Sequence, residues 1–207
     1  VGMAYVKRAH GSALAPKLVG SYEAELHSFF ALFAARNYRR IIDIGAAEGY
    51  YAVGLARLLS SLPVFAFDSD PEAQETCRLL AGLNGVAERV TVLGFCDLAA
   101  LADVLRERAL IVCDCEGGEV DLLAPDKLPL LSSCDLMVET HDMFRPGACA
   151  LLEERFSSTH RIEKVASRLR DPARYPLIAG LKALDQQLAL NELRPVAQQW
   201  LMMWAKR

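Results

Sequence analysis

Five short stretches hold the residue types that do chemistry. IIDIGAAEGYYAVGLA, residues 41–56, sets Asp43 two positions ahead of Gly45 and follows it with Ala46, Ala47, Glu48 and Gly49. FAFDSD ends on Asp68, Ser69 and Asp70, and GFCD ends on Cys96 and Asp97. CDCEGGE, residues 113–119, places Asp114, Glu116 and Glu119 around two glycines, and LMVETHD adds Glu139, His141 and Asp142. The glycine turn suits a nucleotide-like ligand. Gly45 can take backbone angles closed to other residues, and Gly49 would let the start of the next helix approach the ligand. The pattern is D-x-G-x-x-x-G, with Ala47 where a dinucleotide fingerprint needs its second glycine for close approach of a pyrophosphate. Asp43 and Glu48 would repel a diphosphate, so the pocket suits a cation, an ammonium or a sulfonium.

The other acids extend this reading. Asp68 stands 19 residues beyond Gly49, where an acid accepts both hydroxyls of a ribose. Asp97 stands where an exocyclic amine would be bound. Each acid alone has a plain alternative, helix capping or solvation. Three of them at successive strand ends after a glycine turn weaken it. His141 is the candidate general base, and an ordinary pKa near 6.5 leaves it largely neutral near pH 7. Its alternative is to order the loop HDMFRPG. His10, His27 and His160 are expected off this rim. Asp114, Glu116, Glu139 and Asp142 are expected to crowd it, sharing protons, orienting polar partners or binding a cation. With His141 they would suit Mg²⁺ or Mn²⁺, although hydrogen bonding to a polyhydroxylated acceptor accounts for the same residues.

These residues need a scaffold, and the hydrophobic pattern supplies one. β-rich runs at 40–44, 63–68, 89–94, 110–114 and 135–140 alternate with helical patterns at 50–59, 71–83, 98–108, 119–128 and 148–156. Strands alternating with helices predict βαβ units and a parallel sheet, and nearly all-apolar strands predict helices on both faces. Asp70 before Pro71 predicts an N-cap, and Asn84-Gly85 the end of that helix. Residues 21–36 read as one helix with Ser21 as its N-cap. Residues 160–167 and 198–206 read as strands, separated by a long excursion with a helix near 176–191 that is expected to hang as a flap at the sheet's edge. Within CDCEGGE, strand period puts Asp114 and Glu116 on one face and Cys113 and Cys115 on the other. The domain reading is an N-terminal helical segment, 1–37, and one α/β domain, 38–207, with an insertion at 168–195.

Composition limits the partners. The 207 residues are 53% hydrophobic and 24% charged, with a net charge of −3, which gives no global attraction to a phosphate backbone or anionic membrane. No nucleic acid partner and no membrane span are expected. The six cysteines form no CxxC and lie in apolar runs, so they read as reduced core residues of a cytoplasmic protein. Val1 is not an initiator methionine. A homo-oligomer is compatible with the sequence.

The motif set resembles the class I S-adenosylmethionine-dependent methyltransferases across residues 38–166 and a final hairpin. The resemblance implies a doubly wound, Rossmann-like α/β sheet of seven strands with an antiparallel last strand, 198–206. It implies that S-adenosylmethionine is the cofactor. Asp43 and the loop Gly45–Ala46–Ala47–Glu48–Gly49 would hold its methionine end, Asp68 and Ser69 its ribose, and Cys96 with Asp97 its adenine. Asp114 would stand beside it. Asp114, Glu116, Gly117, Glu119, Glu139 and His141 also match the Asp-x-Glu-Gly-x-Glu and Glu-x-His pattern of FkbM-type methyltransferases, mostly O-methyltransferases. The implied acceptor is a small molecule or carbohydrate hydroxyl, with His141, Asp114 and Glu116 in catalysis and a divalent metal possible but not expected. The segment around Gly20, Ser21, Tyr22 and Glu23 would close over the cofactor, with Tyr22 or Lys17 reaching it. Tyr175, Glu192 and Arg194 of the excursion are candidates for acceptor contact. N-methylation of RNA or protein, and cofactor binding without transfer, are the alternatives. The chain has no N/D-P-P-Y/F motif, which disfavours a nucleic-acid amine.

Overall fold

The structure, a computed structural model, describes residues 2–206. The chain opens with α1 (Leu14–Val19) and α2 (His27–Ala34), then alternates β1 (Arg40–Ile44), α3 (Tyr50–Leu58), β2 (Val64–Phe67), α4 (Pro71–Leu83), β3 (Val90–Leu93), α5 (Leu98–Val104) and β4 (Ala109–Cys113). It continues through α6 (Glu119–Leu122), β5 (Asp135–Thr140), α7 (Ala148–Phe156), β6 (His160–Ala166), α8 (Ala183–Leu190) and β7 (Gln199–Ala205). The seven strands form one sheet in the order β3-β2-β1-β4-β5-β7-β6. The first five are parallel, and β7 runs antiparallel between β5 and β6. This is the doubly wound sheet with a reversed last strand that the sequence implied.

Strand period divides the core into two layers. Ile41, Leu110, Val112, Met137, Trp200 and Met202 pack with Phe33 of α2, Ala52 of α3 and Leu80 of α4. Ile42, Ile44, Ile111, Cys113, Leu136, Val138 and Leu201 pack on the other face with Leu101 of α5, Leu122 of α6 and Phe156 of α7. Every residue of β4 and β5 is buried, because helices cover both faces. Helix α4 has the expected ends. Asp70 accepts a hydrogen bond from Glu72 N, Pro71 occupies the first position, and Gly85 turns the chain at φ 66°.

The departures are local. Residues 21–36 do not form one helix: a 3-10 turn at Ala24–Leu26 precedes α2. Ser21 caps nothing; it is buried and its hydroxyl donates to Pro16 O. The excursion does not hang free either. Arg170 pairs with Glu25 at 2.6 Å and Glu192 at 2.5 Å and donates to Ser21 O, which ties it to the N-terminal segment. The six cysteines are free, and all but Cys115 are buried, as core residues should be. No helix of the described residues is long and apolar enough to cross a membrane.

Candidate active site

Order β3-β2-β1-β4-β5 places a switch point between β1 and β4, and ligands bind such sheets outside the carboxyl ends of the strands there. The register brings those ends together: Ile44 pairs with Phe67 and with Cys113, and Cys113 with Val138. A cavity of about 850 Å³ opens above them. Such a volume lies toward the upper end of small-ligand sites, roughly 300–1,000 Å³. Ile44, Gly45, Ala46 and Ala47 line it after β1, Asp68, Ser69 and Asp70 after β2, and Cys96 and Asp97 after β3. Asp114 and Glu116 line it after β4, and Glu139 and His141 at the end of β5.

The glycine turn is a close fit of backbone on backbone. Gly45 has φ 81°, and a Cβ there would fall 1.6 Å from the carbonyl oxygen of Asp114. Ala47 adopts φ 48° and its N–H donates to Asp68 at 2.7 Å, while Asp70 N donates to the other Asp68 oxygen at 2.8 Å. Asp68 thus clamps the turn and still faces the cavity with lone pairs to spare. Gly49 serves a different purpose from the one expected. It does not line the cavity; its missing Cβ admits Cys77 of α4, whose Sγ would lie 2.7 Å away.

Asp43 and Glu48 are buried beneath the turn and do not line the cavity. Glu48 is taken up by the N-terminal segment: Tyr5 Oη donates at 2.6 Å, His10 N at 3.0 Å, and Lys17 forms an ion pair with it. Burial alone would raise the Glu48 pKa, but Lys17 and these donors carry it below the ordinary value. Asp43 has no such partner. Its Oδ2 is buried and unbonded, and burial pushes its pKa up to about 7, against a hydrogen bond from the Ala52 backbone. His10, expected off the rim, lines the cavity, with Nε2 3.0 Å from Thr76 Oγ1. Asp97 caps α5 by accepting from Ala100 N, with its side chain at the cavity edge.

On the β4–β5 side the acids sort into partners. Glu119 enters α6, and its carboxylate turns back to accept from Cys115 N at 3.2 Å and Gly117 N at 3.0 Å. It also holds His141 Nδ1 at 2.7 Å. An ionised carboxylate only accepts, so Nδ1 carries the hydrogen and neutral His141 presents Nε2 as an acceptor. That nitrogen lies 3.4 Å from Asp114. Burial lowers the His141 pKa, but the Glu119 hydrogen bond and charge, with Glu139 and Glu116, outweigh it and leave the pKa above the ordinary value. His141 is therefore a stronger base than a free imidazole, and less fully neutral near pH 7 than expected. Asp114 is raised well above the carboxylate range by burial first, then by the Glu139 and Glu23 charges. Asp142 leaves the rim altogether and accepts from Gly147 N and Cys149 N at the start of α7.

Arg194, at the end of the excursion, binds Glu139 at 2.5 Å, Glu192 at 2.9 Å and also Glu23. Glu23 is raised to about 7 by burial, with Arg194 opposing and Glu139 adding. Asp114, Glu139 and His141 bring ligand-type atoms within 4.8 Å of one another, but the Arg194 guanidinium already sits against Glu139. Tyr175 does not line the cavity, whereas Glu192 and Arg194 do. Among the described residues four non-glycine positions have positive φ: Glu23, Ala47, Glu116 and Leu193. Three line the cavity and the fourth bonds Arg194. Backbone strain of this kind clusters at working sites.

No protein-family profile matches the chain, and no curated protein matches it. Solved structures do. A precorrin-6y C5,15-methyltransferase from Geobacter metallireducens is 14% identical with a TM-score of 0.60, covering 99% of this chain and 94% of its own. The O-methyltransferase TomG from Streptomyces achromogenes, in complex with S-adenosylmethionine, is 14% identical with a TM-score of 0.55, over 94% of this chain and 82% of its own. The human methyltransferase 10 domain containing protein is 12% identical with a TM-score of 0.55, over 99% of this chain and 89% of its own. The fold is therefore that of the class I S-adenosylmethionine-dependent methyltransferases.

Proposed function

We propose that the chain is an S-adenosylmethionine-dependent methyltransferase that methylates a hydroxyl of a small molecule. One observation supports this most. The strained glycine turn, Asp68, and the Glu119–His141 pair meet in one cavity at the switch point of a methyltransferase fold. The donor set suits the cofactor. Asp68 and Ser69 offer acceptors for ribose hydroxyls, Cys96 and Asp97 border the base, and Asp43, buried with an unbonded oxygen, lies beneath the methionine end as a carboxyl whose ionised form a sulfonium would favour. When bound, S-adenosylmethionine supplies an electrophilic methyl group on a sulfonium centre.

The protein's part is to align the acceptor and remove its proton. His141 Nε2 takes the hydroxyl proton while Glu119 holds Nδ1–H and stabilises the imidazolium that forms. Asp114, its pKa raised by burial and by the Glu139 and Glu23 charges, and Glu116 orient the acceptor by hydrogen bonds. Arg194 supplies the positive charge that balances Glu139 and Glu23, so this reading needs no metal. Activity retained after treatment with EDTA would agree with it. Eight carboxylates line the cavity against three lysine or arginine side chains, which disfavours a nucleic-acid acceptor.

Calorimetry with S-adenosylhomocysteine tests the cofactor reading. Binding is expected, and Asp68→Asn should weaken it by about tenfold or more, since a hydrogen bond to a charged group contributes roughly 1.5–3 kcal/mol. No binding by the wild-type protein would overturn it. His141→Ala should abolish most turnover while leaving that affinity within about twofold; undiminished turnover would remove His141 as the base.

A further inference from the structure

The cavity mouth is apolar on the acceptor side. Met143, Phe144 and Leu193 are 47%, 56% and 73% exposed, and all three line the cavity. They come from two loops that meet at one place. The loop after β5 carries Met143 and Phe144, the loop before β7 carries Leu193, and Thr140 pairs with Gln199 where those strands join. Phe144 lies against His141, with ring centroids 5.8 Å apart and planes 29° apart. Leu193 is held at φ 57°, with its N–H bonded to Asn191 and both neighbours, Glu192 and Arg194, pinned in ion pairs. A leucine held in strained backbone with its side chain in solvent gains nothing in the free protein.

The charge around this shelf is one-sided. Of the three lysine and arginine side chains at the cavity, Lys17 is paired with Glu48 and Arg194 with three glutamates, which leaves Lys127. An acceptor bearing a phosphate or carboxylate would meet the carboxylate of Glu116, which forms no ion pair among the described residues, and the acids clustered around His141, with only Lys127 to offset them. A polyol would leave the three apolar side chains exposed.

We propose that the acceptor is an uncharged hydroxyl compound with a flat apolar ring, seated on Met143, Phe144 and Leu193 with its hydroxyl toward His141. This rests on the methyltransferase reading and narrows its substrate class. On transfer the hydroxyl oxygen gains the methyl group, its proton passes to His141 Nε2, and S-adenosylhomocysteine is left.

Fluorescence titration of protein saturated with S-adenosylhomocysteine tests it, using 2-naphthol as the neutral ring, 2-naphthoate as its anionic counterpart and methyl glucoside as a competing polyol. The expected result is that 2-naphthol binds at least tenfold tighter than either of the others. Phe144→Ser and Leu193→Ser should each weaken 2-naphthol by about tenfold while S-adenosylhomocysteine still binds as in the wild type. Both positions are largely exposed, so the variants should fold. Equal or tighter binding of naphthoate or glucoside, no binding of naphthol, or naphthol affinity untouched by both substitutions would each overturn the proposal while S-adenosylhomocysteine binds. Failure of S-adenosylhomocysteine itself to bind would remove the methyltransferase reading and this proposal with it.

Discussion

Asp43 is a carboxylate buried without a full set of partners, which is costly in a folded protein. Its pKa rises from 3.8 to about 7, so the folded chain holds that proton more tightly than the unfolded one. The sign follows: this group's contribution is most favourable below the ordinary carboxylate pKa and is lost as pH rises through about 7. A shift of roughly three units corresponds to about 4 kcal/mol at 1.36 kcal/mol per unit. Asp43→Asn is neutral at every pH. Its melting temperature should exceed that of the wild type at pH 8, by roughly 8–16 °C at about 2–4 °C per kcal/mol for a chain of this size. The gap should close by about pH 4, below the point where the wild-type carboxyl has regained its proton. Calorimetric scans at pH 4, 6 and 8 measure this, and a gap independent of pH would show that Asp43 does not titrate as the structure implies. Such a site is reasonable only if a ligand later makes use of the charge.

At the scale of elements, the turn between β1 and α3 depends on two glycines for different reasons. At Gly45 the obstacle to a side chain is the Asp114 carbonyl, a backbone atom of β4's exit, reached at 1.6 Å. At Gly49 it is the Cys77 thiol, a side chain that can be shortened. Gly45→Ala should therefore separate β1 from β4 and cost more than about 4 kcal/mol, the range of the severest single substitutions. Gly49→Ala should also destabilise, but Cys77→Ala in the same chain should restore part of the loss, and no second-site trimming should rescue Gly45→Ala. Denaturant midpoints of the three variants and the double variant decide it. The sequence showed the need for a glycine at 45 and the strand–turn–helix order, because propensity and period are local. It misassigned Gly49 to the ligand, because contact with Cys77 depends on α4 packing beside α3. The same limit hid the Glu119–His141 pair. In sequence Glu119 only opens the helical pattern at 119–128, and the pairing of β4 with β5 brings it to an imidazole 22 positions later. His10 was set aside because nothing local reveals that the N-terminal segment folds back onto Glu48. The seven strands were legible because buried parallel strands are nearly continuous apolar runs. The single helix at 21–36 was not, because Glu23 adopts φ 46° to meet Arg194, and long-range charge overrides local propensity.

At the scale of the whole molecule, two segments far apart in the chain close the same edge of the sheet. The N-terminal stretch lies over the glycine turn through Tyr5, His10 and Lys17 on Glu48. The excursion lies over the β5 end through Arg194, and Arg170 joins it to the N-terminal segment at Glu25. Neither carries a strand or long helix over the cavity, and besides the ion pairs only a few buried apolar side chains, among them Val6, Ile178 and Leu190, hold them down. Short elements held by few apolar contacts open more readily than core strands. Both segments line the cavity through His10, Lys17, Glu192 and Arg194, so a ligand that contacts them should favour their closed state. With S-adenosylhomocysteine at about 100 times its dissociation constant, the folded state should gain about 2.7 kcal/mol. For a chain of this size that is a rise of roughly 5–10 °C in melting temperature. Hydrogen exchange under the same conditions should slow at residues 4–20 and 170–195 far more than in β4 and β5, which are already protected by burial. A thermal shift accompanied by unchanged exchange in both segments would mean that the ligand binds without them, and that the ion pairs on Glu48 and Arg194 support the fold rather than close the site.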